Sequence, residues 1–255
     1  MKIAVLSSDS QIGSVAADMY TDLLTRKPDA VIGLATGSSP LPVYSELVRR
    51  FQAGEVSFAD ATGFLLDEYV GLPSDHPETY RNFIDRVFVS KVNFAPGAVR
   101  GPDGQASDPV AAAAAYEEAI RASGGIDLQI LGIGTDGHIA FNEPGGSLSS
   151  LTHPQVLTEQ TRYDNARFFD GDISKVPTLC LTQGLATIGR AKKVVLVAQG
   201  EHKAEAIAQM VEGPVSASWP ATVLQFHNDA TILIDEAAGS RLRMLDHYKA
   251  EWVAQ

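Results

Sequence analysis

A single cysteine, Cys180, stands among the 255 residues, so no disulfide can form within the chain and its residues fit a reducing compartment. Long apolar runs are absent as well. None approaches the about 20 consecutive apolar residues that a membrane span requires. The four-residue apolar run in MKIAVLSSDS is too short for the core of a secretory signal. A cytoplasmic protein without membrane contact is the expectation. Basic residues are outnumbered, 20 Lys and Arg against 31 Asp and Glu, for a formal net charge of −11. With no Lys/Arg-rich block to offset it, that field repels nucleic acid and anionic lipid. An anionic ligand would need its own local cluster of donors.

What the chain does have is alternation. Short, mostly apolar runs at Ile3–Leu6, Ala30–Ala35, Gly63–Leu66, Leu128–Gly132, Val194–Ala198 and Thr231–Ile234 read as parallel strands covered on both faces. Between and after them, Gln11–Arg26, Pro40–Gln52, Thr79–Val87, Pro109–Ala122, Leu181–Ile188, Lys203–Val211 and Ser240–Val253 read as helices. Asp108 followed by Pro109 is the signature of an N-cap and first helical position. The pattern predicts an α/β fold, an open, doubly wound, mostly parallel sheet with helices on both faces. No repeat or long linker divides residues 1–255, which read as one domain. His153 to Asp172 lacks a clear period and is long for a structureless connection, which marks it as a candidate lid.

Residues 130–146, ILGIGTDGHIAFNEPGG, contain Gly132-x-Gly134-x-x-Gly137, the spacing of a dinucleotide-binding turn. That fingerprint needs a helix starting at the glycines to meet a pyrophosphate. Pro144, Gly145 and Gly146 interrupt any such helix, and the motif stands at mid-chain rather than in the first βαβ unit. No dinucleotide cofactor is expected. The embedded polar residues offer three other readings. In an extended segment Asp136 and His138 project to one side, and a turn at Asn142–Gly146 brings Glu143 back to them. An imidazole bracketed by carboxylates is a general acid–base for neutral pH. The same three side chains could ligate a divalent metal, or simply hydrogen-bond a loop.

Three further polar stations follow strand ends. Thr36-Gly-Ser-Ser-Pro40 lies between a strand and a helix, where small residues, hydroxyls and a helix start suit an anion; no Gly-Lys-Ser/Thr closes it, so it is not a Walker loop. Asp67-Glu68-Tyr69 leaves the third strand, placing a carboxylate where a base or an ion pair fits. Gly200-Glu-His-Lys203 puts a lysine at another helix start, where a surface charge is the commoner use. Taken singly each has an ordinary structural explanation. Together they crowd the carboxyl edge where open α/β sheets bind ligands, and they suggest a small anionic substrate beside an acid–base group.

The four stations also resemble the glucosamine-6-phosphate deaminase (glucosamine-6-phosphate isomerase) family over nearly the whole chain, to about Glu236. The most specific stretches are Leu66-Asp-Glu-Tyr-Val-Gly-Leu72, Gly134-Thr-Asp-Gly-His-Ile-Ala-Phe-Asn-Glu-Pro144 and Asn165-Ala-Arg-Phe-Phe-Asp170, with Glu212-Gly213, Trp219 and Leu224-Gln-Phe-His227 in agreement. In the related 6-phosphogluconolactonases a Thr-Ala-Ser-Leu-Phe-Pro type of sequence follows Asp-Gly-His, and a basic residue usually follows Asp-Glu. Glu143 and Tyr69 therefore favour the deaminase.

The resemblance implies conversion of glucosamine 6-phosphate and water to fructose 6-phosphate and ammonia, without redox cofactor or metal. It implies that His138 opens the sugar ring, that Asp136 and Glu143 hold and tune the imidazole, and that Asp67 moves the C2 proton. Thr36, Gly37, Ser38, Ser39, Arg167 and Lys203 are the implied phosphate ligands. Two other classes stay open on the residues alone, a lactonase-like hydrolase and a non-catalytic sugar-phosphate sensor. Oligomeric state is open, and a homo-oligomer is compatible with the sequence. Family members activated by N-acetylglucosamine 6-phosphate carry an Arg and a Lys where this chain has His153 and Gln155, with Gly146 at a small position of the same pocket. Neither replacement is a fixed cation, so the expectation is hyperbolic kinetics without that activation.

Overall fold

The computed structural model describes residues 1–254. Among them are strands β1 (Lys2–Leu6), β2 (Val31–Leu34), β3 (Thr62–Leu65), β4 (Asp67–Tyr69), β5 (Val99–Arg100), β6 (Leu128–Leu131), β7 (His153–Val156), β8 (Leu179–Thr182), β9 (Lys193–Ala198) and β10 (Ala230–Asp235). Seven of them form an all-parallel sheet in the order β1-β10-β9-β6-β2-β3-β5. The helices are α1 (Asp9–Arg26), α2 (Leu41–Gln52), α3 (Tyr80–Val87), α4 (Pro109–Ala122), α5 (Glu159–Asn165), α6 (Leu185–Gly189), α7 (Ala204–Glu212) and α8 (Leu245–Val253).

All six expected strands lie in the large sheet. Their consecutive apolar residues are explained by cover on both faces: Ile32, Ile130, Val195, Leu196, Ile232 and Leu233 are fully buried. Local signals set several helix starts. Ser8 caps α1 by accepting a hydrogen bond from the Gln11 N–H at 3.2 Å, and Asp108 caps α4 at the Val110 and Ala111 N–H groups. No helix among the described residues is long and apolar enough to cross a membrane.

The strand order reverses beside β2. From β2 the chain moves outward through β3 to β5, whereas β6 starts the other half of the sheet, toward β9, β10 and β1. The carboxyl ends of β2 and β6 therefore flank a topological switch point, the crevice in which such sheets take their ligands.

The structure departs from the sequence reading in a second sheet, antiparallel and three-stranded, in the order β4-β8-β7. It takes Leu181 and Thr182 out of the expected helix, which is confined to Leu185–Gly189. It also orders the segment read as structureless. Residues 153–156 are β7, 159–165 are α5, and Ala166–Phe168 add one 3₁₀ turn. A separate apolar cluster of Tyr69, Phe141, Leu157, Ala166, Phe169 and Val176 anchors that segment.

Candidate active site

Four loops at the carboxyl edge open into one cleft of about 350 Å³, lined among others by Thr36–Ser39, Asp67, Gly132–Thr135, His138 and Lys203. Arg167 reaches the same cleft from the turn after α5. The Thr36–Ser39 loop leads into α2, whose first turn has no side-chain cap, so backbone donors and the positive end of a 12-residue helix face this side. Gln199 fastens the loop by donating from Nε2 to the Ser39 carbonyl at 3.2 Å.

Opposite that loop stand two cations. Among the described residues neither Arg167 nor Lys203 forms an ion pair. Burial, and then the neighbouring Arg167 charge, hold the Lys203 ammonium below its ordinary pKa. His202, on the same wall, is lowered by burial and by both cations. Positive charge is thus gathered without a direct ion pair, the Asp164 and Asp136 carboxylates acting on Lys203 only from farther off, in a protein of net charge −11.

The carboxylate side is built by a chain that leaves one sheet and enters the other. Leu66 is the joint: its N–H donates to the Leu34 carbonyl at 3.1 Å, and its own carbonyl accepts from the Gln183 N–H at 2.7 Å. β4 then alternates its side chains. Asp67 faces the cleft. Glu68 turns away to accept the N–H groups of Tyr69, Tyr80 and Arg81 at 2.8–2.9 Å, closing the start of α3. Tyr69 returns, its hydroxyl accepting from Asn165 Nδ2 at 2.9 Å. Burial, and then the Glu68 charge, push the Asp67 carboxyl well above the usual carboxylate range.

On the third side is the imidazole. His138 Nδ1 lies 2.7 Å from Asp136 Oδ1 and 4.0 Å from Glu143 Oε2. The nearer contact is close, but Nδ1 makes no aligned hydrogen bond there. Burial alone would raise the Asp136 carboxyl, but its contacts with His138 outweigh that and hold it below the ordinary value.

Asp136 and His138 do not meet by alternating along an extended strand. The loop closes on itself, with hydrogen bonds from the Gly137 N–H to the Gly134 carbonyl at 3.1 Å and from the Gly134 N–H to the His138 carbonyl at 2.8 Å. A Cβ on Gly134 would stand 2.4 Å from the imidazole, so that glycine is the floor on which the ring packs. Gly137 has a φ of 82°, the left-handed region that glycine reaches freely. No helix follows these glycines before α5, and the dinucleotide fingerprint is spacing alone.

Glu143 returns through a turn at Ile139–Asn142, earlier than expected, with Ala140 at a φ of 51°. Such a backbone costs an alanine roughly 1–2 kcal/mol. It is held by bonds from the Phe141 N–H to Thr182 Oγ1 at 3.0 Å and from Asn142 Nδ2 to the Gln183 carbonyl at 2.8 Å. Glu143 is buried, and both its oxygens accept from Thr158, from the N–H at 3.1 Å and the hydroxyl at 3.3 Å.

The structure thus brings all ten sequence-derived site residues into one neighbourhood. It adds an aromatic wall of Tyr80, Phe83, Phe141 and Phe168, together with Glu78 and Asn165. Tyr80 and Phe83 had no signal in sequence beyond core-like apolarity, while Phe141, Asn165 and Phe168 lay inside the family-like stretches. Asp136, His138 and Glu143 each offer a ligand atom within 4.8 Å of the others, enough to hold a metal ion.

Comparison with known proteins identifies the family. Residues 9–233 match the model of the family described as glucosamine-6-phosphate isomerases/6-phosphogluconolactonase. The chain belongs to that family. Among its members, a glucosamine-6-phosphate deaminase of Mycolicibacterium smegmatis is 63% identical over 255 residues, covering 100% of this chain and 98% of the relative. One of Beutenbergia cavernae is 61% identical with the same coverage. A solved structure described as a monomeric glucosamine-6-phosphate deaminase superposes with a TM-score of 0.92 at 41% identity, over 94% of this chain and 99% of the other. A 6-phosphogluconolactonase from Trypanosoma cruzi shares the fold, with a TM-score of 0.74 at 21% identity, over 95% and 97% of the two chains.

Proposed function

We propose that this chain is a glucosamine-6-phosphate deaminase of amino-sugar catabolism, converting glucosamine 6-phosphate and water to fructose 6-phosphate and ammonia. One observation carries the reading. Asp67, buried and without a hydrogen bond to its carboxylate among the described residues, faces the same cleft as the Asp136–His138–Glu143 group. Full-length identities of 63% and 61% to proteins of that name support it.

In this reading the Thr36–Ser39 loop, Arg167 and Lys203 take the phosphate. An Arg provides a planar fork for two oxygens, and Lys a point charge. His138 takes the proton of the anomeric hydroxyl and returns one to the ring oxygen, opening the ring, while Asp136 and Glu143 stabilise the imidazolium formed between those steps. The C1 carbonyl so produced acidifies the C2 proton. Asp67 removes it to give an enolamine and delivers a proton to C1. The resulting C2 iminium adds water and expels ammonia, leaving the ketone. A base must be ionised to accept a proton, and a carboxylate that is poorly solvated accepts one more readily. None of these steps requires a redox cofactor or metal. Residues 153–172 act as the lid of a single domain, closing on the phosphate through Arg167.

A lactonase would act instead on an ester, and a sensor would need only the phosphate groups. Glu143, oriented toward His138, and Tyr69, tied to Asn165, favour the deaminase. Incubation with glucosamine 6-phosphate, measuring ammonia and fructose 6-phosphate together, tests the proposal. Equal release of both supports it, and hydrolysis of 6-phosphogluconolactone without ammonia release from the amino sugar overturns it.

A further inference from the structure

Asp136 and Glu143 reach the imidazole by different routes. Asp136 belongs to the same closed loop as His138 and accepts the His138 N–H at 3.2 Å. Glu143 is oriented from outside that loop, by Thr158 alone among the described residues. The Thr158 hydroxyl stands between Glu143 and the first turn of α5. It accepts from the Thr161 N–H at 3.2 Å and has two acceptors within reach of its one proton, the buried Thr161 hydroxyl at 3.1 Å and Glu143 Oε2 at 3.3 Å. A carboxylate oxygen is the stronger acceptor of the two, which directs that proton to Glu143 Oε2.

Thr158 also begins the piece of chain that carries Arg167. α5 runs from Glu159 to Asn165, and the 3₁₀ turn Ala166–Phe168 follows without a break. Along its length this piece touches the other stations: Asp164 accepts from the Thr135 hydroxyl at 3.2 Å, and Asn165 donates to Tyr69, two residues beyond Asp67. A shift of the segment that moves Arg167 therefore moves the donors on Glu143 as well.

We infer that Thr158 is a positioning residue for ring opening, its hydroxyl transmitting the placement of residues 158–168 to the Glu143 carboxylate and so to His138. The inference rests on the functional reading above for the step it names, but not for the linkage itself. Capture of phosphate at Arg167 and the holding of Glu143 are thereby linked through one continuous segment.

The test compares wild type, Thr158→Val, Thr158→Ser, Glu143→Gln and the Thr158→Val/Glu143→Gln double variant. Valine keeps the shape and the backbone N–H and removes only the hydroxyl. The expected result is a kcat about tenfold lower for Thr158→Val, the scale of one hydrogen bond to a charged group, with KM changed less than twofold. Thr158→Ser should recover most of the rate, and Thr158→Val should add nothing on a Glu143→Gln background. The His138 imidazole NMR signal, recorded without substrate, should move in Thr158→Val toward its position in Glu143→Gln. A merely structural helix start predicts a lower Tm, an unmoved imidazole signal and additive losses, and that pattern overturns the inference. So does a serine variant as slow as valine. If wild type releases no ammonia from glucosamine 6-phosphate, the functional reading falls, and the imidazole signals of the five proteins still decide the linkage.

Discussion

Asp67 and Glu68 are consecutive and each is 6% exposed, yet their carboxylates are treated in opposite ways. Glu68 receives three backbone N–H groups and closes the start of α3. Asp67 receives no hydrogen bond from the described residues and faces the cleft. One carboxylate is spent on architecture, and the other is left unsatisfied by the protein, available to a substrate.

Replacing Asp67 with Asn keeps the shape and removes the base. Turnover should fall by orders of magnitude with KM little changed. Exchange of the C2 proton with solvent, followed by NMR in deuterated water, should disappear with it. Near-normal exchange would place the base elsewhere.

The same substitution should stabilise the protein, with a defined pH dependence. The Asp67 pKa is raised by folding, so the folded state binds the proton more tightly than the unfolded one. Below the unfolded value of 3.8 the carboxyl is protonated in both states and contributes no difference. As pH rises past that value the unfolded state ionises while the folded carboxyl keeps its proton, and stability is lost until the pH exceeds the folded-state pKa. Thermal melting at pH 7 should put Asp67→Asn above wild type by roughly 2–4 °C or more, with the gap closing toward pH 3–4. A variant less stable at both pH values would contradict this.

His138→Gln should be slow on the cyclic sugar and partly recovered when open-chain substrate is supplied transiently. Absence of recovery would move His138 into the C2–C1 proton transfer. Wild-type activity should survive exhaustive chelation. Loss of activity in chelator, restored by a divalent ion, would assign Asp136, His138 and Glu143 to a metal.

Arg167→Ala and Lys203→Ala should raise KM about tenfold or more, for a charge-assisted contact of roughly 1.5–3 kcal/mol. Glucosamine lacking phosphate should be a very poor substrate of the wild type. Comparable turnover of the two sugars in steady-state assays would remove the Thr36–Ser39 loop from the account.

Substrate kinetics should be hyperbolic and unaffected by N-acetylglucosamine 6-phosphate. His153 Nδ1 lies 2.8 Å from the Leu151 carbonyl and Nε2 3.2 Å from Gln155 Oε1, so both side chains are engaged locally on β7, and neither is the Arg or Lys whose charge is fixed. An effector shifts an equilibrium only by its differential affinity for the two states. A sigmoidal saturation curve that the acetylated sugar phosphate renders hyperbolic would refute the prediction and leave the catalytic assignment standing.

The central sheet was legible because burial on both faces writes itself as uninterrupted apolar residues, as in Val194-Val-Leu-Val-Ala198. The second sheet was not. β7 reads His-Pro-Gln-Val and β4 reads Asp-Glu-Tyr, too short and polar for a period, and Leu181 falls at helical spacing from Leu185 and Ile188. Site residues were readable where chemistry demands a rare type after a strand end. Thr158 was invisible, because a threonine before a helix is explained by capping alone, and its contact with Glu143 crosses 15 residues that only the fold brings together.

The pairing of β4 with β8 has an arithmetic consequence. Asp67 lies opposite Thr182 and Glu68 opposite Leu181, and in a strand, odd and even positions face opposite sides. A slip of one residue would exchange them, pointing Glu68 into the cleft and withdrawing its two acceptor contacts from the start of α3. Two adjacent carboxylates offer the chain two candidate bases of different reach, and composition does not choose between them. Parity does, enforced by Leu66, which is bonded to both sheets at once and so forbids the half-step. A one-residue insertion at that joint would exchange the base for a longer one and uncap a helix, though every catalytic side chain would still be present in the sequence.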